Sequence, residues 1–164
     1  MDFRPIVLVS GTLLAALAVM MCIPAIVDFV DGHPDWEIFG ICASLTLFVG
    51  VGMALTSRSD GSKLNIRQAF VMTTLSWVFL SIFASLPFHF STVNLSYTDS
   101  LFEAMSGLTT TGSTVITGLD QTPSGILLWR AMLQWLGGIG IIVMAVSVLP
   151  MLKVGGMQLF RMES

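Results

Sequence analysis

A hydroxyl-rich segment, TTTGST at residues 109–114, is flanked by some of the most apolar sequence in the chain. Gly112 can adopt backbone angles closed to other residues, and the hydroxyl groups can satisfy backbone groups that lie outside a helix. Carbonyl oxygens that point into a cavity can replace the water shell of a cation. We therefore interpret residues 109–114, the TTTGST segment, as a selectivity filter. The alternative is a loop rich in threonine and glycine that simply faces water.

The composition is that of an integral membrane protein. Of the 164 residues, 54% are hydrophobic and only 10% are charged, whereas soluble domains carry about 25% charged residues. A soluble fold of this size could not bury so much apolar surface. No basic run indicates nucleic acid binding. No Ser/His/Asp set, catalytic carboxylate pair or metal-ligand spacing appears, so we predict neither an enzyme nor a cofactor.

Four apolar stretches, the first three of them uncharged, are long enough to cross the membrane as helices, because at about 1.5 Å per residue they match a hydrocarbon core of roughly 30 Å. The first is also longer than the apolar core of a usual signal peptide. These stretches predict an all-α membrane protein in which lipid surrounds the helices. They are residues 6–27, 38–56, 68–90 and 125–149.

The charges between these stretches predict the topology. The segment 28–37 is acidic, whereas the loop 57–67 carries three basic residues, and Lys153 and Arg161 follow the last stretch. Basic loops mark the cytoplasmic side, so the N-terminus, the loop 57–67 and the segment 151–164 should be cytoplasmic. This arrangement requires that residues 91–121 do not cross the membrane.

Residues 98–108 are predicted to form a short re-entrant helix. Thr98 or Ser100 can cap it, and Ser100 with Glu103 fits a capping box. Its length of roughly 15 Å is about half of a bilayer, so its negative end would reach the middle of the membrane beside the TTTGST segment. The last helix, predicted over 123–149, would begin with Thr122 as the N-cap and Pro123 in the first position.

Arg130 is a charge about two turns into the last predicted helix, where charges are costly and usually paired. One interpretation is a fixed charge behind the TTTGST segment, braced by Glu103 or Asp99. The other is an arginine that extends to the membrane interface. The sequence leaves both open.

Several of these motifs resemble one family. The chain is similar to the Trk/Ktr/HKT superfamily of potassium transporters, above all to the TrkH-type membrane subunit, over nearly its whole length. The similarity rests on SLPFHF, TDSLFEAMSGLTTTGST, GLD, RAMLQWLGGIGIIVMAVSVLP and VGGMQLFR.

The resemblance implies a division of the chain. In this family four repeats of helix, pore helix, filter and helix surround one pore, and TrkH-type members carry two additional helices before the first repeat. Residues 1–56 would be the additional pair, 57–67 a cytoplasmic loop and 68–150 the first repeat, with its pore helix at 98–108.

The resemblance also implies the ion-binding residues. The backbone carbonyls of Thr110 and Thr111 would coordinate K⁺, and Thr109, Gly112 and Ser113 would form the adjoining turn. Glycine at the position of Gly112 is associated with potassium preference in the family, and serine with sodium preference.

One repeat offers only a quarter of a ring, so the remaining repeats must come from a longer protein or from further copies of the chain. The resemblance implies potassium uptake across the bacterial inner membrane, a dimer of full-length subunits and a cytoplasmic nucleotide-binding partner of the TrkA type. A non-conducting membrane module that assembles with other subunits is the alternative.

Overall fold

The computed structural model of the chain describes residues 3–57 and 66–148. In these residues the regular structure is helical, in the order α1 Arg4–Val30, α2 Asp35–Thr56, α3 Ile66–Ala84, α4 Leu86–Phe90, α5 Tyr97–Leu108 and α6 Ser124–Val148, with a 3₁₀-helix at Leu119–Gln121 before α6. Four spans are long and apolar enough to cross a membrane: Arg4–Val30, Asp35–Thr56, Gln68–Phe90 and Ser124–Val143. The predicted fold class, an all-α membrane protein, is confirmed.

Helices α1 and α2 form a closely packed hairpin. A Cβ atom on Gly11 would lie 2.7 Å from the Gly50 carbonyl oxygen, so the two backbones meet where neither residue has a side chain. Small residues allow such close approach between membrane helices. The turn itself covers only residues 31–34, which is shorter than the predicted acidic loop 28–37 because Asp28 lies within α1 and Asp35 begins α2.

The third span is interrupted at Ser85, between α3 and α4, where the sequence predicted one continuous helix. Pro87 explains the interruption, because its ring lacks a backbone N–H and clashes with the preceding turn. The indole of buried Trp129 donates a hydrogen bond to the Ala84 carbonyl, at 3.0 Å, and so ties α6 to the interruption.

The predicted cap of the short helix is wrong by a few residues. Helix α5 begins at Tyr97 and its N-cap is Ser96, whose hydroxyl accepts from the Asp99 amide at 3.1 Å and donates to the Asp99 carboxylate at 2.7 Å. Because the helix starts earlier than predicted, Ser100 already lies in its first turn, where its hydroxyl donates to the Ser96 carbonyl.

The connection from α4 to α6 leaves and returns at the same end of the bundle. At its beginning the Thr92 amide donates to the Asp35 carboxylate at 3.0 Å, and just after its end the Gly125 amide donates to Asp28 Oδ1 at 2.7 Å. Both acceptors flank the α1–α2 turn. The Asp28 carboxylate thus serves the first turn of α6, the role predicted for Thr122, whose hydroxyl instead donates to the Gly118 carbonyl.

Candidate ion-coordinating site

The backbone turns sharply where α5 ends and the TTTGST segment begins. The amides of Thr110 and Thr111 donate back to the carbonyls of Gly107 and Ser106, both at 2.9 Å. Thr110 has a φ of 58° and Gly112 a φ of 76°, both in the left-handed region. For a threonine this conformation costs about 1–2 kcal/mol, and strain of this kind is concentrated at functional sites.

The TTTGST segment lies half-way along α6. A Cβ atom on Gly137 would lie 1.8 Å from the Leu108 carbonyl oxygen, so the end of α5 rests directly on the α6 backbone. Two residues further on, the methyl carbon of Thr110 lies 3.9 Å from the position that a Cβ atom on Gly138 would take. These glycines lie about 20 Å along α6 from its first residue, near the middle of a membrane span. Of the glycines 137, 138 and 140, only Gly137 lies so close to another element that an added Cβ atom would clash with it.

Glu103 on α5 holds the chain that follows the turn. Its side chain is fully buried, and Oε1 accepts hydrogen bonds from the Thr114 hydroxyl and from the amides of Val115 and Ile116, at 2.5, 2.6 and 3.3 Å. A carboxylate that receives several backbone amides fixes their orientation, since bonds to a charged acceptor are among the strongest in proteins. Glu103 therefore positions the segment from behind.

Arg130 completes this support from α6. Its Nε atom lies 2.9 Å from Glu103 Oε2, and its side chain is only 15% exposed. Asp99, the other carboxylate considered for this role, is engaged with Ser96 at the helix cap. The contact favours the interpretation of Arg130 as a charge behind the TTTGST segment over an arginine extended to the interface.

The two carbonyls predicted to bind the ion are available in the structure. Among the described residues no hydrogen bond reaches the carbonyl oxygens of Thr110 or Thr111, whereas the Ser113 carbonyl accepts from the Ser106 hydroxyl at 2.7 Å. The hydroxyls of Thr109 and Thr111 contact each other at 2.9 Å. Residues 109–115 are exposed along this face of the chain.

Two anchoring carboxylates, Asp28 and Asp35, were missed by the sequence analysis. The sequence shows them only as part of an acidic segment near a turn, which normally faces water. Their partners are backbone amides 97 and 57 residues away, and no local pattern indicates contacts at that separation. The lack of Lys or Arg nearby was the one available signal that the partners of these carboxylates are not Lys or Arg side chains.

Together these contacts describe a membrane protein in which a half-length helix delivers an irregular, exposed backbone to mid-span. Backbone of this kind is tolerated at that depth only where it is buried in protein or lines a water-filled cavity. Unbonded carbonyl oxygens in such a place can substitute for the hydration shell of a cation. The class that the fold and the site define is therefore a multi-pass membrane protein with a candidate cation-coordinating backbone segment.

Comparison with known proteins agrees. The family model described as "TrkH: Cation transport protein" matches residues 34–164, and the chain belongs to this family. It is 44% identical over 162 residues to the Trk system potassium uptake protein TrkI of Halomonas elongata, covering 99% of the chain and 33% of that protein. It is 42% identical to the Trk system potassium uptake protein TrkH of Escherichia coli K12, covering 99% of the chain and 34% of that protein.

A solved structure shows the same similarity. The potassium transporter TrkH from Vibrio parahaemolyticus superposes with a TM-score of 0.89 at 42% identity, covering 96% of this chain and 34% of that one. The chain thus spans about a third of the length of the relatives it matches. The family is one of transport proteins rather than enzymes, and the chain is a multi-pass membrane protein.

Proposed function

We propose that the chain supplies one quarter of a carbonyl-lined potassium filter in a potassium uptake protein, with the carbonyls of Thr110 and Thr111 as its ion ligands. One observation carries the proposal: residues 109–115 are exposed and irregular at mid-span, and these two carbonyls have no hydrogen bond among the described residues. Lipid cannot cover such a backbone, so water, an ion or further protein must. The potassium uptake proteins that the chain resembles make K⁺ the favoured ion.

The division of the chain follows from this proposal. Residues 1–56 are an additional helix pair, which the close α1–α2 packing supports, and residues 68–150 are the first pore repeat. Within that repeat α5 is the pore helix, and the TTTGST segment is the filter. The other three quarters of the filter come from further repeats of a longer protein or from other copies of the chain.

The proposed orientation places the N-terminus in the cytoplasm and the α1–α2 turn outside the bacterial inner membrane, as the basic residues favour.

A dimer of full-length subunits and a nucleotide-binding partner of the TrkA type belong to the same proposal. The loop 57–67 and the segment 151–164 would contact that partner; residues 58–65 of the loop and the whole of the segment lie outside the described residues. Unchanged crosslinking to a TrkA-type protein after alanine replacement of both segments would contradict this contact.

Ion preference tests the proposed filter. We suggest a chimaera in which residues 1–164 replace the corresponding third of the Vibrio parahaemolyticus transporter, with rubidium uptake measured in liposomes against competing sodium. Gly112→Ser should reduce the preference for rubidium over sodium by roughly tenfold or more, equivalent to about 1.4 kcal/mol.

Gly118→Ser is the matched control. Gly118 has a φ of 73°, close to the 76° of Gly112, and no atom within 4 Å of the added Cβ, so the substitution imposes the same backbone strain outside the filter. It should leave the preference unchanged. If both variants behave alike, the TTTGST segment does not select the ion. A membrane-inserted chimaera without rubidium flux would support the non-conducting module instead.

A further inference from the structure

Three side chains that could hold a metal ion meet at the α1–α2 turn, away from the TTTGST segment. They are Asp28 at the end of α1, His33 in the turn and Asp35 at the start of α2, here called the turn cluster. One ligand atom from each residue lies within 4.8 Å of the other two. Neither Thr110 nor Thr111 belongs to this cluster, so the proposed filter does not account for it.

The two carboxylates are buried and held in place from outside the cluster. Asp28 and Asp35 are 0% and 2% exposed. Asp28 Oδ1 accepts from the Gly125 amide, and the Asp35 carboxylate accepts from both the amide and the hydroxyl of Thr92, at 3.0 and 2.9 Å. Hydrogen bonds that fix the orientation of carboxylates are the usual second layer of a metal site.

One buried oxygen in the cluster has no partner. Asp28 Oδ2 makes no hydrogen bond among the described residues, although it is removed from solvent. A buried acceptor left without a partner costs about 1–3 kcal/mol, and each such atom in a folded protein requires an explanation. A Cβ atom on Gly125 would lie 2.2 Å from this same oxygen, so the Asp28 carboxylate packs directly against the α6 backbone where Gly125 has no side chain.

The turn cluster can be reached from solvent. A polar cavity of about 240 Å³ lies beside it, lined by His33 and Thr92 together with residues that precede α6, including Gln121 and Thr122. The His33 side chain is 33% exposed. An ion could therefore arrive through this cavity and find the buried carboxylates behind the imidazole.

We propose that the turn cluster binds a divalent transition-metal ion of the zinc type. Imidazole favours zinc, copper and nickel over magnesium and calcium, and two carboxylates balance the double charge. Three protein ligands leave a fourth position for water from the cavity. Metal–ligand distances of about 2.0–2.2 Å require the three side chains to close around the ion, and Asp28 Oδ2 gains the partner that it lacks.

Binding would join three parts of the chain. Asp28 is bonded to the first turn of α6, and Asp35 is bonded to the connection that leads into α5. A bound ion would therefore fix the α1–α2 turn to both ends of the re-entrant connection that carries the TTTGST segment. The inference does not depend on the identity of the transported ion.

Metal binding to the detergent-purified chain, stripped with a chelator and checked for helicity by circular dichroism, tests the proposal. Zinc chloride should bind at one ion per chain in calorimetry, and cobalt chloride should give a d–d absorption band. His33→Gln and Asp28→Asn should abolish both signals, although the side-chain amide introduced by Asp28→Asn still offers a carbonyl oxygen to the Gly125 amide. Thr92→Val should weaken binding by roughly 10–100-fold. Asp31→Asn, in the same turn but outside the cluster, is the control and should bind as the original chain does.

A second measurement uses only the unsubstituted chain. Zinc should protect His33 from diethyl pyrocarbonate, with the modified sites mapped by mass spectrometry, and should not protect His89, whose Nδ1 atom contacts the Leu95 carbonyl. Absence of zinc binding by the folded chain would overturn the proposal and leave Asp28 Oδ2 as a buried oxygen without a hydrogen-bond partner among the described residues. Equal protection of both histidines, or zinc binding that survives both His33→Gln and Asp28→Asn, would overturn it as well.

Discussion

Glu103 joins three parts of the site through one carboxylate. One oxygen accepts from the chain that follows the TTTGST segment, and the other accepts from Arg130 on α6. Because Glu103 itself lies on α5, the helix, the segment and α6 are fixed relative to one another by a single buried group. At the residue scale, this ion pair is the contact on which the geometry of the site depends.

Replacing one member of the Glu103–Arg130 pair should therefore lower the free energy of unfolding. Arg130→Met leaves a buried carboxylate without its counter-charge, and we expect a loss of about 3–5 kcal/mol in the free energy of unfolding. The double variant Glu103→Gln/Arg130→Met removes both charges and should recover a large part of that loss. Chemical unfolding in detergent, followed by circular dichroism, measures both.

Asp99→Asn is the control for this prediction. Asp99 lies on the same helix, and among the described residues its side chain bonds at the cap with Ser96 alone, so its replacement should cost about 1 kcal/mol or less. If Arg130→Met is no more destabilising than Asp99→Asn, or if the double variant is as unstable as Arg130→Met, the ion pair does not organise the site.

At the scale of elements, the contact between the end of α5 and the backbone of α6 sets the position of the TTTGST segment along α6. Gly137→Ala places a methyl group where the Leu108 carbonyl now is. Because that carbonyl belongs to backbone, the end of α5 must move, which should cost about 1–3 kcal/mol and lower rubidium selectivity in the chimaera. Thermal unfolding and competitive uptake measure the two effects.

The neighbouring glycine supplies the comparison. Gly138→Ala adds the same methyl group one residue further along α6, where the nearest atom is the Thr110 methyl carbon at 3.9 Å. This variant should fold and select like the unsubstituted chain. Equal losses of stability and rubidium selectivity from both substitutions would mean that α6 tolerates no alanine at either position. The contact between α5 and Gly137 would then not determine the position of the TTTGST segment.

The elements differ in how far the sequence could predict them. The four spans follow from long apolar runs, of which only the last contains a charge, and the short helix follows from its length and its polar start. The interruption at Ser85 was not predicted, although Pro87 signalled it, because proline near the end of an apolar run is compatible with a continuous span. The cap at Ser96 was missed because several hydroxyl residues in a row offer equivalent capping patterns.

At the scale of the whole molecule, the proposed topology can be tested by accessibility. In a variant without Cys22 and Cys42, a cysteine at position 31 should react with a membrane-impermeant maleimide added to intact bacteria. A cysteine at position 62, in the basic loop, should react only after the membrane is opened, because basic loops remain cytoplasmic. The reverse pattern would contradict the proposed orientation.

The molecule also shows where prediction from sequence ends. The TTTGST segment and Arg130 could be selected from residue type and position alone. Glu103 could be named as one of two candidate partners of Arg130. The backbone amides bound by Glu103, Asp28 and Asp35 could not be predicted, because only the folded chain brings them near. Since the chain spans about a third of its relatives, the other walls of the proposed pore also lie beyond what these residues can specify.

Thallium, a cation close to potassium in size, tests the central claim most directly. Crystals of the chimaera soaked with thallium should show an anomalous peak in contact with the carbonyl oxygens of Thr110 and Thr111, and added potassium should displace it more readily than added sodium. A chimaera that transports rubidium but binds thallium elsewhere, with no peak at residues 109–114, would contradict the assignment of these carbonyls as the ion ligands.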